Sequence, residues 1–180
     1  MDLDATLVSS HSDKELAAKT FKKTFGFHPL FAFVDHGADG TGEPLAVLLR
    51  KGNAGSNTAT DHVTVLRQAL AQLPGHRPGT RPGRKVLVRI DGAGATHQLL
   101  DWIHAQRLSY SIGFGLPSNI ADLLELIAEQ VWAPAIDSGG ELRDGAWVAE
   151  VTDLLKLTGW PKGMRSSSAR NARTPAPSGA

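Results

Sequence analysis

The stretch Lys85-Val-Leu-Val-Arg-Ile-Asp91-Gly-Ala-Gly-Ala-Thr-His97 decides the fold class. Four apolar positions, Val86, Leu87, Val88 and Ile90, describe a buried strand. Asp91 stands at its end and two glycines follow. Gln98 to Gln106 then opens a helix with Leu99, Leu100 and Ile103 on one face. A carboxylate at the carboxyl end of a central strand faces the crevice where α/β folds bind ligands. Asp91 is therefore the first candidate for chemistry.

Upstream, Asp2 to Val8 alternates polar and apolar residues and predicts a strand. Side chains repeat every two residues, so Asp2, Asp4 and Thr6 share a face. Two carboxylates on one face repel, a cost offset where a cation neutralises them; exposure to water is the simpler alternative. Ser9 to Lys23 is polar and reads as a loop or short helix. Strands follow at Phe27–Val34 and Glu43–Arg50, joined by the turn-rich segment 35–42. Thr60 or Asp61 caps a helix running to about Leu73, with Val63, Leu66 and Leu70 apolar. After the Asp91 strand and its helix come a strand at Leu108–Leu116, a helix from Asn119 to Val131, and a strand at Gly145–Val151. The expectation is an α/β fold: a mixed sheet of three antiparallel strands followed by alternating helices and strands, flanked by helices. The first strand can then lie centrally, beside the Asp91 strand.

The bulk numbers exclude several classes. With 180 residues the chain can bury a real core, and with no cysteine it has no disulfide or thiolate metal site. No apolar run approaches the roughly 20 residues of a membrane span. No signal peptide opens it, so a cytoplasmic protein without membrane partners is expected. Formal net charge is +1. Basic residues cluster locally at Lys19, Lys22 and Lys23, at Arg50 and Lys51, and from His76 to Lys85, a stretch that includes Arg77, Arg81 and Arg84. Such clusters are either solvated loops or phosphate-binding surfaces.

Four segments carry a family resemblance: Asp2-Leu-Asp-Ala-Thr-Leu-Val-Ser-Ser-His-Ser-Asp-Lys14, Thr24-Phe-Gly-Phe-His-Pro-Leu30, Leu48-Leu-Arg-Lys-Gly-Asn-Ala-Gly-Ser-Asn57 and Val88-Arg-Ile-Asp-Gly-Ala93. Together they resemble the DDE transposases of bacterial insertion sequences, in the subgroup whose ribonuclease H-like core carries a β-strand insertion. The likeness runs from Asp2 to about Arg165. It implies three acids holding two divalent ions, Mg²⁺ or Mn²⁺. Asp4 matches the first acid, in the form Asp4-Ala5-Thr6, with Asp2 as an outer or alternative ligand. Asp91 matches the second. The implied reaction is cleavage and strand transfer of DNA phosphodiesters, by in-line displacement between ions about 3.5–4 Å apart. The implied partners are DNA, contacted by Arg77, Arg81, Arg84 and Lys85, and a second copy or a full-length transposase.

The chain departs from that pattern at both ends. Family members usually have a DNA-binding region before the first catalytic strand, and one residue precedes Asp2 here. The third acid, a glutamate, lies beyond the family's equivalent of Gly159–Arg165, and no side chain here matches it. The expected organisation is a partial catalytic core over 1–131, the start of the insertion over 132–165, and a disordered tail over 166–180. That tail is rich in Ser, Ala, Pro and Arg, as a shifted reading frame in a high-GC gene would be. The resulting fragment is expected not to transpose.

Three other readings fit parts of the sequence. Asp2-Leu-Asp-Ala-Thr6 fits the first motif of a haloacid dehalogenase-type phosphatase, with Asp2 as nucleophile and Asp4 as general acid/base. No apolar half-strand precedes Asp2, and no later acidic pair completes that motif set. Gly92-Ala-Gly94 hints at a dinucleotide turn, but His97 stands where the third glycine belongs. A non-catalytic DNA-binding remnant is the reading in which no enzyme survives.

Overall fold

The computed structural model describes residues 1–37, 42–77 and 79–171. They form two compact units, Met1–Gly115 and Leu116–Ala180. The helix expected from Asn119 to Val131 is six residues long, Ile120–Glu125.

Among the described residues, unit 1 contains eight strands and two α-helices. In chain order they are β1 (Asp2–Ala5), β2 (Val8–Ser9), β3 (Ala18–Lys19), β4 (Phe25–Phe27), β5 (Leu30–Val34), β6 (Glu43–Leu48), α1 (Ala59–Gln72), β7 (Leu87–Ile90), α2 (His97–Ala105) and β8 (Ser109–Ile112). Five strands make the main sheet in the order β6-β5-β1-β7-β8. The pairs β1/β5 and β5/β6 are antiparallel, while β1/β7 and β7/β8 are parallel. The mixed sheet and the central place of β1 agree with the expectation from sequence.

Alternation sets which face is buried. Met1, Leu3, Val88 and Ile90 point into the core, whereas Asp4, Leu87 and Arg89 are exposed. Both helices pack on that inner face. Val65, Leu66 and Ala69 of α1 and Leu99 and Ile103 of α2 are fully buried there. Each buried Leu or Ile contributes about 1.5–3 kcal/mol by leaving water. The helix α1 begins earlier than the sequence suggested, with Thr58 at the cap position. The helix α2 is capped by the Thr96 side chain, which accepts from the Leu99 N–H. Val88 and Leu99 are both 0% exposed. Two apolar residues of the main sheet that stay in water, Val47 and Leu87, are on its opposite face.

A second, three-stranded sheet of order β2-β4-β3 replaces the expected loop over Ser9–Lys23. Its strands are two or three residues long, too short to show the period of two.

Unit 2 holds α3 (Ile120–Glu125), β9 (Ala133–Ile136), β10 (Leu142–Glu150) and β11 (Ser167–Asn171), with the strands in the order β11-β10-β9. No residue of α3 is buried. The expectation of a disordered stretch from Ser166 is corrected up to Asn171: β11 pairs antiparallel with β10, and Ser166 and Ser168 are buried. Pairing at a sheet edge uses backbone groups, which small polar residues supply as well as apolar ones. Arg170 packs its guanidinium 4.2 Å from the Trp132 ring centroid and 5.4 Å from that of Trp147, a cation–π contact. It also pairs with Glu129. Residues 172–180 lie outside the described residues. Among the described residues no helix is long and apolar enough to cross a membrane.

Removing one inner-face side chain tests this packing. Leu99→Ala should lower unfolding stability by about 2–5 kcal/mol. The check is a urea titration in which the midpoint falls and the slope stays constant.

Candidate active site

Asp4 and Asp91 belong to the two central strands that run parallel. The register pairs Asp2 with Arg89 and Leu3 with Ile90. One step further along each chain come Asp4 and Asp91, at the same end of strands about 4.8 Å apart. Period two places Asp4 on the face of Asp2, and Asp91 follows Arg89 by the same interval. The ion pair between Asp2 and Arg89 shows that these are one face. The sequence expectation that the first strand lies centrally, beside the Asp91 strand, agrees with this placement.

Arg89 is the residue that the sequence reading passed over. Its guanidinium grips Asp2 with two nitrogens, Nη2 lying 2.7 Å from Oδ2, and reaches Asp35 Oδ2 at 2.8 Å. Both Asp2 oxygens are thus engaged by one cation. This holds the Asp2 carboxyl below the usual carboxylate range, mainly through the Arg89 hydrogen bonds. Asp35 is shifted in the same direction, first by the Gly37 N–H and then by Arg89. The available signal was one charged residue inside an apolar strand, two positions before Asp91.

The turn after β7 fixes Asp91. Its Oδ1 accepts from the Ala93 N–H at 2.9 Å, capping a single 3₁₀ turn over Gly92–Gly94. Gly94 is needed for space: a Cβ there would lie 2.6 Å from Ile90 Cγ2. Packing, rather than approach to a pyrophosphate, thus explains this glycine. Beneath the turn, His62 of α1 is buried and its Nδ1 is 2.9 Å from the Thr58 carbonyl oxygen. Burial pushes its pKa down, with Asp91 among the charges acting on it. Arg50 is buried as well. It donates to the carbonyls of His28 and Gly55 and pairs with Asp61 at 3.2 Å, tying α1 to the loop before it.

A sequence model of one family, transposase DDE domain group 1, matches residues 1–172. The chain belongs to that family. No curated protein and no solved structure gives a significant match. The matched span continues past Arg165, where the resemblance read from sequence ended, and takes in β11.

DDE transposases generally use divalent metal ions and act on DNA. The donor set here suits a hard cation. The Asp4 carboxylate has no hydrogen bond or ion pair among the described residues, on an exposed residue, and Asp91 uses only one oxygen in its turn. Carboxylate oxygens are the ligands Mg²⁺ and Mn²⁺ take. Among the described residues no group of three or more His, Cys, Asp or Glu side chains could hold a metal ion. Asp4 and Asp91 stand at one end of two paired strands, and among the described residues no third acid completes such a group with them.

Arg77, Arg81, Arg84 and Lys85 are all exposed. They precede β7, whereas Asp91 follows it. Four residues of strand separate the two ends by about 13 Å. The structure therefore does not bring these basic residues to the carboxylates.

The Asp2–Arg89 contact makes a pH prediction. A carboxyl held low in the folded state adds stability that is present above its unfolded pKa and lost as pH falls through the folded value. Urea midpoints should therefore drop as the pH is taken below about 4. In Asp2→Asn the neutral-pH midpoint should be lower and the acid slope flatter. An unchanged slope would show that the pair does not contribute.

Proposed function

We propose that unit 1 is the metal-binding part of a ribonuclease H-like transposase core, acting on DNA phosphodiesters. One observation supports this above the others: Asp4 and Asp91 fall one step beyond the parallel pair Leu3↔Ile90, at one end of the sheet's two central strands. The order β6-β5-β1-β7-β8, with three antiparallel strands and then two parallel ones, is the arrangement such a core requires.

Each residue then has a defined task. Asp4 and Asp91 supply oxygen ligands, and a divalent ion held there would polarise a phosphodiester oxygen and lower the pKa of a bound water or 3′-hydroxyl. The Ala93 N–H fixes one Asp91 oxygen and leaves the other for coordination. Arg89 occupies Asp2, so Asp2 acts in the ion pair and Asp4 is the first ligand. The same engagement counts against Asp2 as a phosphatase nucleophile. Arg77, Arg81, Arg84 and Lys85 would touch DNA away from the reacting phosphate.

Two acids can hold one ion with water completing its shell. Placing a second ion needs a further ligand, and in-line displacement depends on that placement. Strand transfer by this chain alone should therefore be absent. Mn²⁺ binding, followed by the electron paramagnetic resonance signal of the free ion, should be measurable and should weaken at least tenfold in Asp4→Asn and in Asp91→Asn. Asp2→Asn should weaken it less. Wild-type binding in both single variants would overturn the assignment. Robust strand transfer abolished by Asp91→Ala would show that another acid completes the site.

A further inference from the structure

The basic cluster at Lys19, Lys22 and Lys23 was left unassigned by the sequence, and its place in the fold gives it a role. We infer that the β3–β4 hairpin, with Lys51 beside it, is a DNA-backbone contact surface at the same end of the main sheet as Asp4 and Asp91. The inference rests on the reading of unit 1 as a DNA-handling core.

Topology provides the placement. The strand β1 runs toward Asp4 and Ala5 and enters the small sheet at Val8. Leu30, the first residue of β5, pairs with Ala5, so β4 also meets the main sheet at that end. The end of β6 pairs with the same residue, since Leu48 is opposite Leu30. Lys51 follows it and forms an isolated bridge with Phe27 of β4. The chain thus brings hairpin, Lys51 and both carboxylates to one end, while the loop holding Arg77 to Lys85 occupies the other.

The hairpin is preorganised. The Thr20 N–H donates to the Thr24 carbonyl at 2.8 Å, the Lys23 N–H to the Thr20 carbonyl at 3.1 Å, and the two threonine hydroxyls meet at 2.7 Å. Lys23 is held at φ 62, in the left-handed region that few non-glycine residues occupy. Gly52 locks the loop bearing Lys51 onto the sheet. A Cβ there would lie 2.4 Å from the carbonyl oxygens of both Ala18 and Gly26, so only glycine permits this approach.

The chemistry is that of a phosphate surface. Lys19, Lys22, Lys23 and Lys51 are exposed, and no lysine forms an ion pair among the described residues. Their charge is free for phosphates, although Asp13 and Glu15 lie on the preceding connection. Phe21 at the tip is 68% exposed with the Lys22 ammonium 5.9 Å from its ring centroid. An aromatic face among lysines suits a nucleic acid with accessible bases. Clustered ammonium groups on a rigid turn bind the backbone without reading sequence.

The test is a fluorescence anisotropy titration of the full chain with duplex DNA carrying a single-stranded overhang, over a range of salt. The triple variant Lys19→Gln/Lys22→Gln/Lys23→Gln should lose at least tenfold in affinity. Its slope of log K against log salt should shrink by about 2–3, the release of one ion per lost phosphate contact. Phe21→Ala should weaken binding with the slope unchanged. Arg77→Gln/Arg81→Gln/Arg84→Gln should cost less than the hairpin variant. Urea midpoints close to wild type would show that these surface variants fold. If the wild type binds DNA and the hairpin variant binds equally well with an equal slope, the inference is overturned and the core reading survives. If the wild type binds no DNA at low salt, both are overturned.

Discussion

The parallel junction between β1 and β7 is the constraint on which unit 1 depends. Its ladder contains two residue pairs, Asp2↔Arg89 and Leu3↔Ile90, supplemented by the Arg89 N–H donating to the Met1 carbonyl at 2.8 Å. A slip of one residue would turn Arg89 and Asp91 inward and Val88 and Ile90 outward, because side chains alternate across a strand. Two forces oppose that slip. Burial of Leu3, Val88 and Ile90 favours the observed register from one face, and the forked contact of Arg89 with Asp2 selects it from the other. The pair is half-exposed, so solvent screens its contribution to stability. Its importance lies in specificity: a planar fork meets a carboxylate in one geometry.

Much of this was legible because it depends on period and punctuation. Asp2, Asp4 and Asp91 announce themselves as acids at strand positions, and the Leu99–Leu100–Ile103 face announces a helix. Arg89 was not legible in the same way. A lone arginine inside an apolar run looks like a surface position until its partners, distant in sequence, are known. The small sheet was hidden for a different reason: two-residue strands have no period to read, and hydrogen bonds between segments define them. The sequence could place the Arg77–Lys85 cluster near the Asp91 strand, but only the strand's direction shows which end each one occupies.

Unit 2 makes a related point about composition. Small residues near Arg170 suggested a segment with nothing to bury. The strand β11 nevertheless joins the sheet through its backbone, and Arg170 covers the Trp132 and Trp147 rings with a flat, weakly hydrated cation. Apolar content alone underestimates what such a segment can contribute when its neighbours supply aromatic surface.

The position of the loop before β7 has a consequence for how such a protein can change. Its length does not set the place of Asp91, because Asp2 and the core side chains align β7 independently. Closing a longer loop costs little, about 0.6 kcal/mol for each doubling. This loop is therefore where the chain can accept inserted sequence, a reporter or a second binding module while the carboxylate end of the sheet stays in register.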